Sequence, residues 1–479
     1  MKRLFFSLAM ISSFLFAFGQ GEMDALKYSQ TDIRGTARYT SMAGAMGALG
    51  GDVSAISDNP AALGIFRTWT LNLTPGIVWT STNNSGNKDF TLGGTFDNFG
   101  FVASFLTKRE QGAVAHNIGI NYNRLRNFQS NISTNKYDSY SSLTDYMASN
   151  GVPNPLRELG YEGYMINELD EGGYESAFPG ERVDIRYNSK ERGSIDEWNF
   201  SYSANISNFL YLGATVGVQS IDYSLNTTHS EDFESGGYFD LYNDLWTYGS
   251  GVNLKLGAIA RPLDFLRVGV SFTTPTIYDL KNKYNDEIHY YDTKNPAGVY
   301  SPRGSLDYSL NTPYKLMGSL GFIIGEAAVI GINYEMKDYA TARYAGNYFS
   351  NHNRYIKEDF KISHTVKVGG EYRLNEKLGL RAGYAITTSP VKDIVEKSKR
   401  EIMLAGSMPS YVIPQRSSYY SLGFGYQSNF FYFDAAYLLN VRNDNLYLYP
   451  PPNSDFYAEE KMKTQTFASN IILTFGIRF

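Results

Sequence analysis

Residues 469–479 read Ser-Asn-Ile-Ile-Leu-Thr-Phe-Gly-Ile-Arg-Phe, and their alternation decides the fold. Ile471, Leu473, Phe475, Ile477 and Phe479 fall on one face, with Ile472, Thr474, Gly476 and Arg478 on the other. Side chains along a strand point alternately to opposite faces, so this stretch predicts a strand with one apolar side and one mixed, mostly small or polar, side. The same period recurs upstream. Leu266, Val268, Val270 and Phe272 alternate with polar or small residues, as do Val366, Val368, Gly370 and Tyr372, then Leu378 to Ile386, then Phe431 to Leu439. The segments commonly run a dozen residues or more, whereas globular strands average about five or six. An apolar outside and a polar inside over that length is the pattern of a transmembrane barrel.

The connections alternate as well. Short turns are predicted near 108–111, 207–208, 262–264, 325–326, 375–376 and 428–429. Longer polar stretches lie between them, at about 83–89, 134–196, 228–245, 281–303, 340–360, 391–416 and 443–461. Six turns and seven loops join 14 strands. Short periplasmic turns against long extracellular loops are the asymmetry of outer-membrane barrels. The fold expected is all-β: a 14-stranded antiparallel transmembrane barrel with an N-terminal hatch of short helices in its lumen.

Composition fits and excludes. The chain has 479 residues with 39 Tyr, 30 Phe and 45 Gly, against only 19% charged residues, a balance that favours strands and tight turns. Its mean hydropathy of −0.32 excludes a bundle of membrane helices. A net charge of −5 leaves no electrostatic footprint for nucleic acid. With no Cys, disulfide scaffolds, thiolate metal sites, a Cys nucleophile and a lipoprotein anchor are all excluded. Lys2 and Arg3, the apolar run 4–18 and the small residues Ala17 and Gly19 make an export signal with cleavage expected after Gly19. The chain therefore divides into a signal peptide (1–19), a hatch (20–66) and a barrel (67–479) with a long extracellular loop at about 134–196. An aromatic at the end of an alternating last strand (Phe475, Ile477, Phe479) is the kind of signal read by barrel-assembly machinery, an expected partner during biogenesis.

Between the signal and the first strand lies Gly35-Thr36-Ala37-Arg38, then Ser41-Met42-Ala43-Gly44-Ala45-Met46-Gly47-Ala48, Asp52-Val53-Ser54-Ala55 and Asn59-Pro60-Ala61-Ala62-Leu63. This succession resembles the hatch of the FadL/OmpP1/TodX family of outer-membrane transporters for hydrophobic compounds. The pairs Thr274-Pro275 and Thr312-Pro313 resemble its Bacteroidetes branch. The residues themselves argue for a plug. Gly, Ala and Ser let a short helix pack in a narrow lumen, Gly50-Gly51 ends that helix, and Asn59-Pro60 sets a turn. The hatch residues singled out are Arg38, Gly44, Asp52, Asp58, Asn59, Pro60 and Ala61. Buried charges require partners. Strand parity supplies Arg267, Lys367, Glu371, Arg373, Arg381 and Asp434 on the lumen wall. The charges Arg38, Asp52 and Asp58 are expected to pair with them, or the wall charges to pair across neighbouring strands.

The resemblance implies passive movement of fatty acids, aromatic hydrocarbons or related molecules, with capture at the extracellular loops and exit past the hatch or through a lateral gap. The alternative it implies is an accessory barrel docked in an outer-membrane secretion or assembly machine. In the long loop, Ser142-Leu143-Thr144-Asp145 is a capping box before one short helix, and Pro155 opens another. Leu143, Tyr146, Met147, Leu156 and Leu159 are candidates for ligand capture, against ordinary packing of the loop. Gly93-Gly94 and Asp97-Asn98 interrupt strand 2, and either pair suits a bulge at a wall gap. The five His are scattered, no residue set has metal-ligand spacing, and no motif assembles a catalytic triad, so neither cofactor, metal nor enzyme is expected. Outer-membrane lipids, lipopolysaccharide, a hydrophobic ligand and other outer-membrane proteins remain the expected partners.

Overall fold

The computed structural model describes residues 21–84, 86–150, 152, 154–291, 297–300, 304–397, 407–450 and 461–479. The signal-peptide reading falls outside these residues. The chain closes into a barrel of 14 antiparallel strands. They are β1 (Thr70–Asn84), β2 (Asn87–Leu106), β3 (Ala113–Asn127, continued by Ser130–Ser139), β4 (Val183–Ile206) and β5 (Leu210–Phe233). Next come β6 (Tyr238–Leu263), β7 (Leu266–Thr273 and Ile277–Tyr291), β8 (Gly304–Asn311 and Lys315–Ile324), β9 (Ala328–Asp338) and β10 (Ile362–Arg373). The last are β11 (Leu378–Thr387), β12 (Tyr411–Gln427), β13 (Phe431–Tyr447) and β14 (Met462–Arg478). β14 pairs with β1 from Thr70↔Arg478 to Asn84↔Thr464, which closes the cylinder. Phe479 locks the seam, its N–H donating to Trp69 O at 3.1 Å and its carbonyl accepting from Trp69 N at 3.0 Å.

Alternation dictates the two surfaces. Val216, Val252, Leu254, Leu380, Leu422 and Ile477 are exposed on the outside. Asn72, Asn121, Asn199, Thr215, Asn333 and Lys367 are buried on the inside. A cylinder with an apolar outer belt and a polar lumen is built to sit in a bilayer. Phe475, Ile477 and Phe479 all lie on this outer face.

Five strands outrun the belt. On β5 the outward residues are Leu212, Ala214, Val216 and Val218, then Ser220, Asp222, Ser224 and onward. The stretches 228–245 and 281–290, expected as loops, are paired strand: β5 and β6 run to a tight turn at 234–237, and β7 continues to Tyr291. Likewise β3 extends to Ser139 and β4 begins at Val183. Their polar outward residues imitate a loop in sequence, yet backbone pairing and the packed inner face continue above the lipid.

The Thr-Pro pairs explain the two breaks inside β7 and β8. Proline cannot donate to a ladder. Threonine hydroxyls replace the missing bonds: Thr276 N donates to Thr312 Oγ1 (2.9 Å) and Leu254 N to Thr274 Oγ1 (3.0 Å).

Residues 21–66 lie inside the lumen. They form α1 (Glu22–Ser29), α2 (Ala37–Ser41), α3 (Ala55–Asp58) and a 3-10 turn, Pro60–Ile65. Met42, Ala43, Met46, Ala55, Ala61 and Ala62 pack against wall residues including Tyr211, Ile259, Tyr419 and Leu438. Above them, α1 meets Tyr223, Tyr278 and Tyr344.

Candidate transport path

The hatch is seated by a belt of wall glycines. A Cβ on Gly331 would fall onto the Ala45 carbonyl, one on Gly369 onto that of Met42, and one on Gly213 onto Pro60. Gly257, Gly383 and Gly423 press in the same way on Asn59, Met42–Ala43 and Ser41. Wall side chains between these glycines bond hatch backbone. Asn333 donates to Gly44 O (3.0 Å) and accepts from Gly47 N (3.3 Å), Ser421 donates to Ser41 O (2.9 Å) and Ser271 to Asp58 O (2.7 Å).

Three of the named hatch residues hold its bends. Gly44 takes φ +73, where its Cβ position is occupied by the Tyr39 hydroxyl 2.9 Å away. The Asn59 amide accepts from Ala61 N at 3.1 Å and donates to Gly47 O at 3.0 Å, and Pro60 opens the 3-10 turn.

Two charge clusters tie hatch to wall. Glu371 Oε2 accepts from Arg38 Nε (2.8 Å) and Arg381 Nε (2.9 Å), and Arg381 reaches Asp434 at 2.5 Å. Arg373 stands at the rim, 3.8 Å from Glu371. Asp58 meets Lys315 at 3.1 Å and Lys367 at 3.5 Å, both lysines also approach Glu335, and the Tyr39 hydroxyl donates to Asp58 at 2.6 Å. Among the described residues Asp52 forms no ion pair with a wall cation. It accepts from Thr36 Oγ1 and Ser54 N, bracing the hatch against itself. Arg267 donates to the Leu49 carbonyl at 2.5 Å. Sequence reasoning missed Lys315, Glu335 and the Lys255–Glu197 pair, although their alternation with Leu316, Tyr334 and Trp198 carried the signal.

It also missed Arg34. This hatch side chain bonds Asp97 Oδ1 at 2.7 Å and Thr95 Oγ1 at 3.0 Å, with Arg34 and Asp97 side chains 4% and 0% exposed. Asp97 is the extra residue of a bulge, where the β1–β2 register shifts between Thr74↔Asn98 and Pro75↔Phe96. Above it the ladder is broken. β2 pairs with β3 only from Asn98↔Asn123 to Leu106↔Ala115, and residues 87–97 have no ladder partner on that side. Side chains fill the space: Gln129 lies against Gly93, Arg124 approaches Thr95 at 3.4 Å, and Ser133 bonds Asp89. Outward Phe90 and Leu92, 62% and 63% exposed, place the opening in the upper half of the apolar belt.

Adjoining cavities lead to Gln129, the side chain lying against Gly93. A mouth cavity of about 130 Å³ is lined by apolar side chains such as Leu26, Met408 and Leu446 and by charged ones such as Asp24, Lys27 and Glu191. It shares Arg126 and Arg442 with a cavity of about 40 Å³ that reaches Gln129. That one shares Asp32 and Arg34 with a lumen cavity of about 130 Å³. On the hatch's far side, a periplasmic cavity of about 230 Å³ shares no lining residue with them.

The expected capture residues are elsewhere. Leu143, Tyr146, Met147, Leu156 and Leu159, at most 3% exposed, form the core of the long loop with Ile185, Phe239 and Ile288. They present no open surface, because α4 (Leu143–Ala148) and α5 (Asn154–Glu162) fold back on the projecting strands. His229 and His352 are buried, and His229 contacts Glu231 at 2.8 Å. Among the described residues no group of His, Asp and Glu is placed to hold a metal ion.

No protein-family model matches the chain, and no curated protein sequence does. Solved structures do match. A FadL homologue from Pseudomonas aeruginosa superposes with a TM-score of 0.56 at 14% identity, covering 94% of this chain and 100% of that one. The fold is that of the FadL-type channels. The toluene transporter TodX of Pseudomonas putida follows with a TM-score of 0.50 at 13% identity, over 94% of this chain and 99% of that one. The FadL-type barrel thus extends to a chain whose likeness lies in strand count, plug and closure.

Proposed function

We propose that the chain is an outer-membrane passive transporter for hydrophobic compounds such as long-chain fatty acids or aromatic hydrocarbons. The toluene transporter among its structural neighbours supports this substrate class. Capture falls at the mouth cavity, whose Met, Leu and Val side chains stand beside charges such as Lys27, Arg126 and Glu191, replacing the loop residues expected from sequence. Exit runs sideways between β2 and β3 into the outer part of the bilayer. The observation carrying this reading is the unpaired edge 87–97, where a cavity ends at Gln129 against Gly93, while wall glycines hold the hatch backbone in contact. An apolar molecule loses the hydrophobic gain of leaving water if it must enter the polar periplasmic cavity, and keeps it if it enters lipid.

The chain has no Cys, which makes the test clean. Cysteines at Gly93 and Gln129 are bridged with a short cleavable bis-maleimide, and uptake of labelled oleate or toluene by whole cells is followed. Uptake that falls on bridging and returns on cleavage is expected. Full uptake in the bridged barrel overturns lateral exit. Equal uptake with and without the protein overturns transport.

A further inference from the structure

The sheet that rises above the apolar belt has one covered and one free face. Phe239, Leu241, Ile288 and Ile185 pack beneath the loop helices on the covered face. The free face continues the membrane surface upward, and strand register lays it out in rows. The last apolar row is Trp198–Val218–Val252–Ile277. Two polar rows follow, ending in Ser194–Asp222–Tyr248–Lys281. The third row is Arg192–Ser224–Trp246–Lys283 and the fourth Lys190–Asn226–Asp244–Asn285. Each row adds about 6.6 Å along the strands, so the third lies roughly 20 Å from the last apolar row, less once strand tilt is counted.

Rows three and four carry cations with no acidic partner. Among the described residues, Lys190, Arg192 and Lys283 meet no carboxylate within 4.0 Å, one Arg192 nitrogen donating instead to the Ser130 and Glu191 carbonyls, whereas Arg186 above pairs with Asp232 and Lys281 below with Asp307. Lys283 lies 5.0 Å over the Trp246 ring and 5.5 Å over that of Tyr248. Trp246 is 42% exposed, and Tyr242 and Tyr238 follow it upward at 37% and 36%. An aromatic girdle at the lipid edge accounts for Tyr248 and Trp246. It does not account for tyrosines several rows higher or for cations without a carboxylate partner flanking the tryptophan.

We propose that this face binds the phosphorylated core sugars of the outer leaflet's own glycolipid. Three strand spacings separate Arg192 from Lys283, about 14 Å, which suits two anionic groups on one saccharide headgroup. Ammonium and guanidinium groups recognise phosphate through charge-assisted hydrogen bonds. Trp246 offers a flat face for a sugar ring, and Asn226, Asp244 and Ser224 offer hydrogen bonds beside it. A protein partner fits less well, because the core of a protein interface is depleted of charge and every row here carries ionised groups or open hydroxyls and amides. The inference rests on the outer-membrane placement proposed above, not on transport.

The test uses the full-length folded barrel, confirmed by its heat-modifiable band, in nanodiscs with rough lipopolysaccharide as the probe. A Lys190→Glu, Arg192→Glu, Lys283→Glu variant is compared with wild type and with Val216→Ala on the lipid face. Wild type and Val216→Ala are expected to retain the glycolipid through mild detergent exchange, read by native mass spectrometry. The triple variant and dephosphorylated lipopolysaccharide should each lower retention at least tenfold. Equal retention by the triple variant overturns the proposal. So does retention indifferent to dephosphorylation, which assigns binding to the acyl chains. A protein that co-purifies stoichiometrically and shields a Lys190→Cys label, with no glycolipid bound, overturns it in favour of a protein interface. A Lys190→Cys label reachable from outside intact cells confirms placement independently, and an unreachable one removes the premise. Oleate uptake, measured separately, should be unchanged in the triple variant, so failure of transport and failure of this site are told apart.

Discussion

A single methyl group on the wall should unseat the hatch. Gly331 faces the Ala45 carbonyl so closely that a Cβ has no room, with Leu49 Cδ1 only 3.1 Å away on the other side. Its own backbone is ordinary strand, so alanine there strains nothing locally and relieves the strand of glycine's entropy by about 0.5–1 kcal/mol. The whole penalty therefore falls on the hatch. Overpacking of this kind costs about 1–3 kcal/mol. Displacing Ala45 also pulls Gly44 and Gly47 from the Asn333 amide, two bonds worth roughly 1 kcal/mol each. The seated hatch loses about 2–4 kcal/mol, or roughly 30- to 1,000-fold in its equilibrium with a displaced state. Ser57→Cys supplies an isosteric probe in a chain without cysteine, in the lumen cavity behind the hatch. Labelling of that thiol by an impermeant maleimide added on the periplasmic side should accelerate in proportion to the displaced fraction. Gly318→Ala is the control, since a Cβ there meets nothing within 4 Å. An unchanged labelling rate in a folded Gly331→Ala barrel refutes the reasoning, and so does an equal acceleration in Gly318→Ala.

Asn59→Ala removes bonds to Ala61 N, Gly47 O and Ala258 O and should loosen the hatch by about 2–3 kcal/mol, seen as faster Ser57→Cys labelling with the barrel still heat-modifiable. Arg34→Ala leaves Asp97 buried without its cation and should destabilise by about 3–5 kcal/mol, whereas Arg34→Met with Asp97→Leu recovers most of this; urea unfolding of the folded band checks both. In the extracellular loop, burial raises the Asp145 carboxyl to about 6, with the Glu231 charge adding and the Ser142 N–H opposing. Its folded value lies above its unfolded one, so its contribution is full below about pH 4 and lost as pH rises through 6. The upper bound is about 3 kcal/mol, roughly 1–2 after allowance for solvent access. Hydrogen exchange in α4, corrected for intrinsic rates, should be slower at pH 4 than at pH 7, and Asp145→Asn should flatten the difference.

What the sequence made legible was local. Period-two alternation along Leu266–Phe272 or Ile471–Phe479 needs no knowledge of neighbours, and parity alone put Lys367, Glu371, Arg381 and Asp434 on the lumen side. It did not say which charge meets which. Arg34 and Asp97 are 63 residues apart, and only closure of the barrel brings them together. The projecting strands were lost because Asp222, Ser224 and Asn226 face water, and outward polarity on a strand looks like a loop until its pairing is known. Leu143 and Met147 were legible as apolar, but what covers them, Ile185 and Phe239 on strands read as loop, was not.

The two breaks in the wall bear on whether the gap is built in. At β7 and β8 prolines interrupt the ladder, and threonine hydroxyls sew it shut. At β2 no proline intervenes. Backbone donors and acceptors are present at Leu92 to Phe96, and β3 offers its own edge, yet they stand apart. An unpaired edge at that height costs several kcal/mol per orphaned group unless something covers it. The cover here consists of side chains, Gln129 and Arg124, above the buried Arg34–Asp97 pair, and moving Gln129 and Arg124 breaks no strand. A sewn wall would have been the more stable alternative, and the barrel achieves one at its other break. A cover of side chains at this position, with a cavity ending at Gln129, is what the proposed lateral exit requires.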